Sequence, residues 1–161
     1  DWSQTSAWAA GGYYARLFLN LSGRDRHGSL PAARAGETLQ RLCDQLSHID
    51  TVDPRDRKRV VQCTCRNPHD IYATVRGCAP DLIITIDDLA MRASGKIGLG
   101  HLVLNENDTG ADDANHSQHG VFLLDDGHTT GRYDSDILDI APTVLSYFDM
   151  APPLAGRCIG H

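Results

Sequence analysis

Long apolar runs and a surplus of basic residues are both missing from this sequence of 161 residues. A membrane-spanning helix needs about 18 to 20 apolar residues in succession, so we expect no transmembrane segment. Lys and Arg total 15 against 21 Asp and Glu, which gives a formal net charge of −6. Because binding to phosphate backbones and anionic lipids needs an excess of positive charge, we expect neither nucleic acid nor a membrane as a partner.

The sequence also lacks a regular cysteine framework. Its five cysteines are an odd number without the spacing of a disulfide scaffold. Cys63 and Cys65 would share one face of a strand, but no second pair stands at zinc-finger spacing. We therefore expect reduced thiols and a cytoplasmic protein.

Phosphate-cradling loops are missing as well. The glycine-rich stretch GKIGLG (95–100) has neither the Gly-Lys-Ser/Thr of a P-loop nor the GxGxxG spacing of a dinucleotide-binding turn. We therefore expect no nucleotide binding through either kind of loop.

Hydrophobic patterning predicts strands that alternate with helices. Apolar residues at three-four spacing between 31 and 48 predict an amphipathic helix. Residues 139–148 predict a second helix, which Asp139 can cap and whose buried side would consist of Ile140, Val144, Leu145 and Phe148. The expected strands cover residues 13–21, 59–65, 81–86, 101–104 and 120–124. This alternation favours an α/β fold class.

The polar stretch DDANHSQHGVFLL (112–124) holds the residues most able to bind a metal. A calcium loop beginning at Asn105 would need a bidentate Glu at its twelfth position, where His116 stands, so calcium is a poor fit. Asp112, Asp113, His116 and His119 offer the oxygen and imidazole ligands that suit zinc, manganese or iron. The residues alone leave two alternatives open, a transition-metal site and a polar loop with structural histidines.

Five segments together resemble the C-terminal part of the alkaline phosphatase superfamily. They are DWSQTSAWA (1–9), RLFLNLSGRDRHGSL (16–30), APDLIITIDD (79–88), NENDTGADDANHSQHGVFLL (105–124) and SDILDIAPTVLSYFDMAPPLAGR (135–157). Within the superfamily, the chain is most similar to the predicted phosphohydrolase/phosphomutase branch that is grouped with type I phosphodiesterases and nucleotide pyrophosphatases.

The resemblance implies an α/β/α sandwich with a mostly parallel sheet and a small accessory β element. Residues 1–161 would form a single C-terminal portion of that domain. It implies two divalent metals, zinc in most members, a phosphate ester substrate and displacement at phosphorus with a metal-bound hydroxide. His116 matches the ligand of the family's H-x-x-x-G motif, and Gly120 matches its glycine. Asp112 and Asp113 become candidates to orient that ligand from the second shell. No role passes to His119.

The family's nucleophile and its other ligand motifs lie upstream of the segment that resembles DWSQTSAWA, and no Asp-His-Gly occurs in this sequence. The sequence also begins without Met, so we expect an excised or processed portion of a larger enzyme that is inactive alone. Such an excision would expose apolar surface through which the chain could associate. The alternative is a self-standing, non-catalytic binding or interaction domain.

Overall fold

The computed structural model describes residues 1–47, 49, 61–100, 102–104, 114–125, 127, 131–151 and 155–159. These residues belong to two compact units, Asp1–Gly120 and Val121–His161. The first unit contains β1 (Ala7–Ala10), β2 (Ala15–Leu19), α1 (Ala35–Ser47), β3 (Cys63–Arg66), α2 (Pro68–Ile71) and β4 (Leu82–Ile86). The second contains α3 (Ile140–Ser146). Short 3-10 helices lie at Trp2–Gln4, Ala32–Arg34, Asp87–Leu89 and Ile137–Asp139.

The sheet of the first unit is antiparallel throughout, with the strand order β1-β2-β4-β3. The predicted α/β class with a mostly parallel sheet is therefore wrong. A four-residue connection joins β1 to β2, which suits a hairpin and is too short for the crossover that parallel neighbours need. Exposure also alternates along β2, as expected for a sheet with one covered face.

The core of the first unit lies between the covered face of the sheet and α1. Its buried members are Ala15, Leu17, Leu19, Leu30, Leu82 and Ile84. The predicted helix is confirmed, and its apolar stripe packs on this core through Leu39, Leu42, Cys43 and Leu46. Cys63 and Cys65 point from β3 toward the same core. Helix periodicity thus identified the packing face correctly.

The second unit is organised around α3, whose buried residues are Pro142 and Thr143. The sequence predicted a different buried side for this helix, and that prediction is wrong in part, since Val144 is 44% exposed and Phe148 is 70% exposed. Asp139 is the N-cap residue of α3, as predicted, but its side chain makes no cap bond to the helix. Its carboxylate accepts from Asp136 N instead, and the Asp136 carboxylate accepts from Leu138 N, so the two form a capping box for the preceding turn.

Two of the predicted strands do not form in the described residues. Residues 121–125 have no strand pairing, and Val121 is 98% exposed where a buried strand was expected. Residues 102–104 are likewise not a strand. No helix among the described residues combines the length and apolar character needed to cross a bilayer.

Candidate functional site

His116, the predicted metal ligand, lies in an extended polar segment of the first unit. Residues 114–120 contain neither helix nor strand, and His116 is exposed to solvent. Its backbone N–H donates to Asn115 Oδ1 at 3.0 Å. The imidazole is therefore accessible, and the backbone that carries it is fixed by its preceding neighbour.

Asn115 fastens this segment to the turn that follows β4. Its Nδ2 donates to the carbonyl oxygen of Leu89 at 2.6 Å. The two ends of the amide have different partners, a backbone acceptor for the nitrogen and the N–H of His116 for the oxygen. This pairing determines the orientation of the amide, because only one assignment of nitrogen and oxygen satisfies both bonds.

The turn that accepts this bond has an unusual backbone. Asp87, Asp88 and Leu89 all have positive φ, at 51°, 49° and 70°. Residues other than glycine rarely take this left-handed conformation, and a run of three stores backbone strain. The run departs from the regular extension of β4, and the Leu89 carbonyl at its end accepts from Asn115 Nδ2.

The ring of Tyr13 contacts the imidazole of His116. The two ring centroids are 3.7 Å apart, with an interplanar angle of 42°. Tyr13 belongs to the β1–β2 connection. In this connection Gly12 forms two backbone hydrogen bonds of 2.9 Å with Ala93, which follows β4. The Arg92 guanidinium carbon lies 6.0 Å from the Tyr13 ring centroid, within the range of a cation–π contact.

The other predicted site residues have different outcomes. Asp112 and Asp113 lie outside the described residues. His119 is exposed, and its N–H donates to Ser117 Oγ at 3.2 Å. Within the described part of the chain, no three His, Cys, Asp or Glu side chains are grouped closely enough to hold a metal ion. His116 and His119 are thus not brought together with other donors there.

Arg24, in the resembling segment 16–30, forms a bidentate ion pair with Asp81, in the resembling segment 79–88. Both guanidinium–carboxylate distances are 2.8 Å. Asp81 Oδ2 also accepts from Leu19 N at 2.7 Å, and Arg24 donates to the Leu19 carbonyl. Burial opposes ionisation of Asp81, but these hydrogen bonds prevail and hold its pKa below the usual range. The pair joins the loop after β2 to the start of β4.

Asn20, from the same segment, is buried and ties the N-terminal turn to this loop. Its Nδ2 lies within 2.9 Å of the carbonyl oxygens of Trp2, Thr5 and His27. The carbonyls of Trp2 and Thr5 also accept from Thr5 N and Ser29 Oγ, so the buried amide adds a second donor to each of these two acceptors.

The closing segment of the chain has an equivalent structural network in the second unit. Asp139 accepts from the backbone N–H of Arg157 at 2.9 Å and from its guanidinium at 3.4 Å. The backbone hydrogen bonds from Arg157 and Asp136 lower the pKa of Asp139. Thr143 Oγ1 donates to the Asp139 carbonyl at 2.6 Å and accepts from Ile159 N at 3.0 Å. Helix and C-terminal tail are fastened together by these bonds.

Sequence patterns did not identify Tyr13, Asn115 or the left-handed turn at Asp87–Leu89 as parts of the site. Their contacts join segments that are distant in the chain, and each residue type is ordinary in a polar loop. The two consecutive aspartates after a buried strand were the one local signal of an unusual turn. Comparisons of the chain with protein families, curated proteins and solved structures gave no match.

Proposed function

We propose that this chain supplies one metal ligand, His116, to a metal-dependent phosphohydrolase or phosphodiesterase. The protein would displace a group at phosphorus in a small phosphate ester. Its nucleophile and remaining ligands would come from outside the described residues. The proposal includes a cytoplasmic location, which is supported by five cysteines that are all free thiols.

One observation carries the proposal. The histidine that matches the H-x-x-x-G motif is exposed, and its segment is fastened by Asn115 and its ring contacted by Tyr13. The other resembling segments have buried or paired polar side chains, such as Asn20 and Asp81, that serve the fold. A single accessible imidazole fits one position of a zinc site, and a catalytic zinc needs about two more protein ligands.

Zinc, when bound, would polarise the phosphoryl oxygens and lower the pKa of a bound water. The contribution of this chain would be to hold an imidazole nitrogen at a fixed point on the surface of the first unit. Imidazole binds metal ions through a ring nitrogen and is the commonest metal-binding side chain in proteins.

The test compares this chain with the product of the complete reading frame from which it derives. Zinc content and hydrolysis of bis(p-nitrophenyl) phosphate are measured for both. We expect His116→Ala to lower the turnover of the complete product by at least about 100-fold, because even residues that only orient a ligand cost 10- to 100-fold. His119→Ala is the matched control and should leave activity unchanged. Unaltered zinc content and turnover in His116→Ala would refute the assignment.

A second candidate, a non-catalytic interaction domain, is favoured by the exposed apolar residues of the second unit. Val121 is 98% exposed and Leu123 is 89% exposed. The four consecutive apolar residues 121–124 are all exposed, and exposed apolar patches mark association sites in many proteins. Sedimentation velocity over a range of concentrations should show self-association that Leu123→Ser weakens. A monomer at every concentration would count against a self-association site.

A further inference from the structure

We infer that the face of the sheet opposite α1 is a docking surface for an acidic segment of a partner protein. This outer face is formed by the side chains of Trp8, Arg16, Phe18, Ile83 and Arg66. The inference is independent of the proposed function, since none of these residues is a candidate metal ligand.

Strand alternation places these side chains on one face. The alternate positions of β2 and β4 point into the core that α1 covers, so Arg16, Phe18 and Ile83 point to the opposite side of the sheet. Arg66 alternates in the same way with Cys65, which packs toward the core. The register sets Arg16 and Arg66 directly beside Ile83, one on each neighbouring strand. Because adjacent strands lie about 4.8 Å apart, roughly 10 Å separates the two arginine Cα atoms.

The outer face carries positive charge that has no partner in the described part of the chain. The four strands contain two charged residues, Arg16 and Arg66, and both are exposed. Among the described residues, neither guanidinium has an ion pair or a side-chain hydrogen bond. Asp81, which precedes β4, is already paired with Arg24. The two arginines are therefore available to carboxylates from outside, which guanidinium groups bind through paired N–H donors.

Apolar side chains lie beside the two arginines. Ile83 stands between them and is half-buried, and Trp8 stacks on Phe18 of the neighbouring strand with centroids 4.4 Å apart. Arg and Trp are enriched among the residues that contribute most to binding at protein interfaces. The mutual stacking of Trp8 and Phe18 covers one face of each ring, and the net charge of −6 opposes a phosphate backbone. These features favour a peptide with carboxylates around an apolar side chain over a nucleic acid.

Fluorescence anisotropy with the 161-residue chain and the fluorescein-labelled peptide EELEE tests the inference. We expect saturable binding that weakens with added salt and is weaker for QQLQQ, which lacks the carboxylates, and for EEGEE, which lacks the apolar side chain. Arg16→Met and Arg66→Met should each raise the Kd about 3- to 10-fold, because each removes a charge-assisted donor that is exposed to solvent. Arg41→Met is the matched control, since Arg41 is an exposed arginine of α1, and it should keep the wild-type Kd.

Amide chemical-shift mapping of the same chain locates the bound peptide without any variant. We expect EELEE to shift the amides of Arg16, Phe18, Ile83 and Arg66 and to leave those of α1 unchanged. Shifts confined to other residues, no saturable binding of EELEE, or a wild-type Kd for both Arg16→Met and Arg66→Met would overturn the inference. Tighter binding of octauridylate than of EELEE would also overturn it, because the occupant would then be a nucleic acid. All of these outcomes leave the proposed role of His116 untouched.

Discussion

The ion pair between Arg24 and Asp81 should couple the loop after β2 to the sheet strongly enough to measure. Arg24→Met, Asp81→Asn and the double variant form a double-mutant cycle. Hydrogen bonds to charged groups contribute about 1.5–3 kcal/mol, and exposure of the Arg24 side chain (41%) reduces this. We therefore expect a coupling free energy of about 1–2 kcal/mol. Arg26→Met is the matched control, since Arg26 lies two residues away and is exposed.

Urea unfolding followed by tryptophan fluorescence measures this coupling. Both tryptophans, Trp2 and Trp8, lie in the first unit, and Trp8 stacks on Phe18 with centroids 4.4 Å apart. With an m-value of about 2 kcal/mol/M, a loss of 2 kcal/mol lowers the midpoint by about 1 M. A coupling free energy below about 0.5 kcal/mol would refute the reasoning, because independent sites add within that margin.

The same pair should make stability depend on pH. The pKa of Asp81 is lowered in the folded protein, so folding favours the ionised carboxylate. The contribution is complete above the unfolded pKa of about 3.9 and is lost as pH falls through the lower folded value. Asp81→Asn should show no such loss.

Three further predictions concern other positions. Gly28→Ala should destabilise the first unit by about 1–3 kcal/mol, because the added Cβ would lie 2.0 Å from a backbone carbonyl oxygen. Gly36→Ala in α1 should stabilise the same unit by about 0.5–1 kcal/mol, because the position is helical and open. Urea midpoints that shift in the same direction for both variants would contradict this. Thr143→Val should speed hydrogen exchange at the tail amide that donates to the threonine hydroxyl, and unchanged protection there would argue against that bond. Burial and the neighbouring thiols raise the pKa of Cys65 to about 12. At pH 8, iodoacetamide should therefore modify the exposed Cys78 well before Cys65, as followed by peptide mass spectrometry. Equal rates of modification would contradict this.

Local patterns predicted both longer helices and three of the strands, but they missed β1, placed two strands that do not form in the described residues, and predicted the assembly poorly. The helix at α1 and the strand at β4 were predicted because helical periodicity and a compact apolar run are local properties of the sequence. Strand direction depends on pairing between distant segments, which local patterns do not show. A helix between two strands, such as α1 between β2 and β3, is also what a parallel crossover would contain, so the sequence favoured a parallel sheet. The apolar run at residues 120–124 shows the same limit, because hydrophobicity favours burial but does not identify a partner strand.

The resembling segments divide by what their polar side chains do. Asn20, Arg24 and Asp81 make hydrogen bonds inside the first unit, and Asp139 and Thr143 do so inside the second. These side chains bond backbone groups and one another within each unit, so the segments can recur for folding reasons alone.

His116 differs from these hydrogen-bonded side chains because it is exposed to solvent. The residue is exposed, its backbone N–H donates to Asn115 Oδ1, and its ring contacts that of Tyr13. A strained turn accepts a hydrogen bond from the residue before His116, and the β1–β2 connection contacts its ring. Such contacts are more than an exposed polar residue in a solvated loop requires. Substitutions at His116 therefore separate a functional site from a structural loop more sharply than substitutions in any of the paired segments.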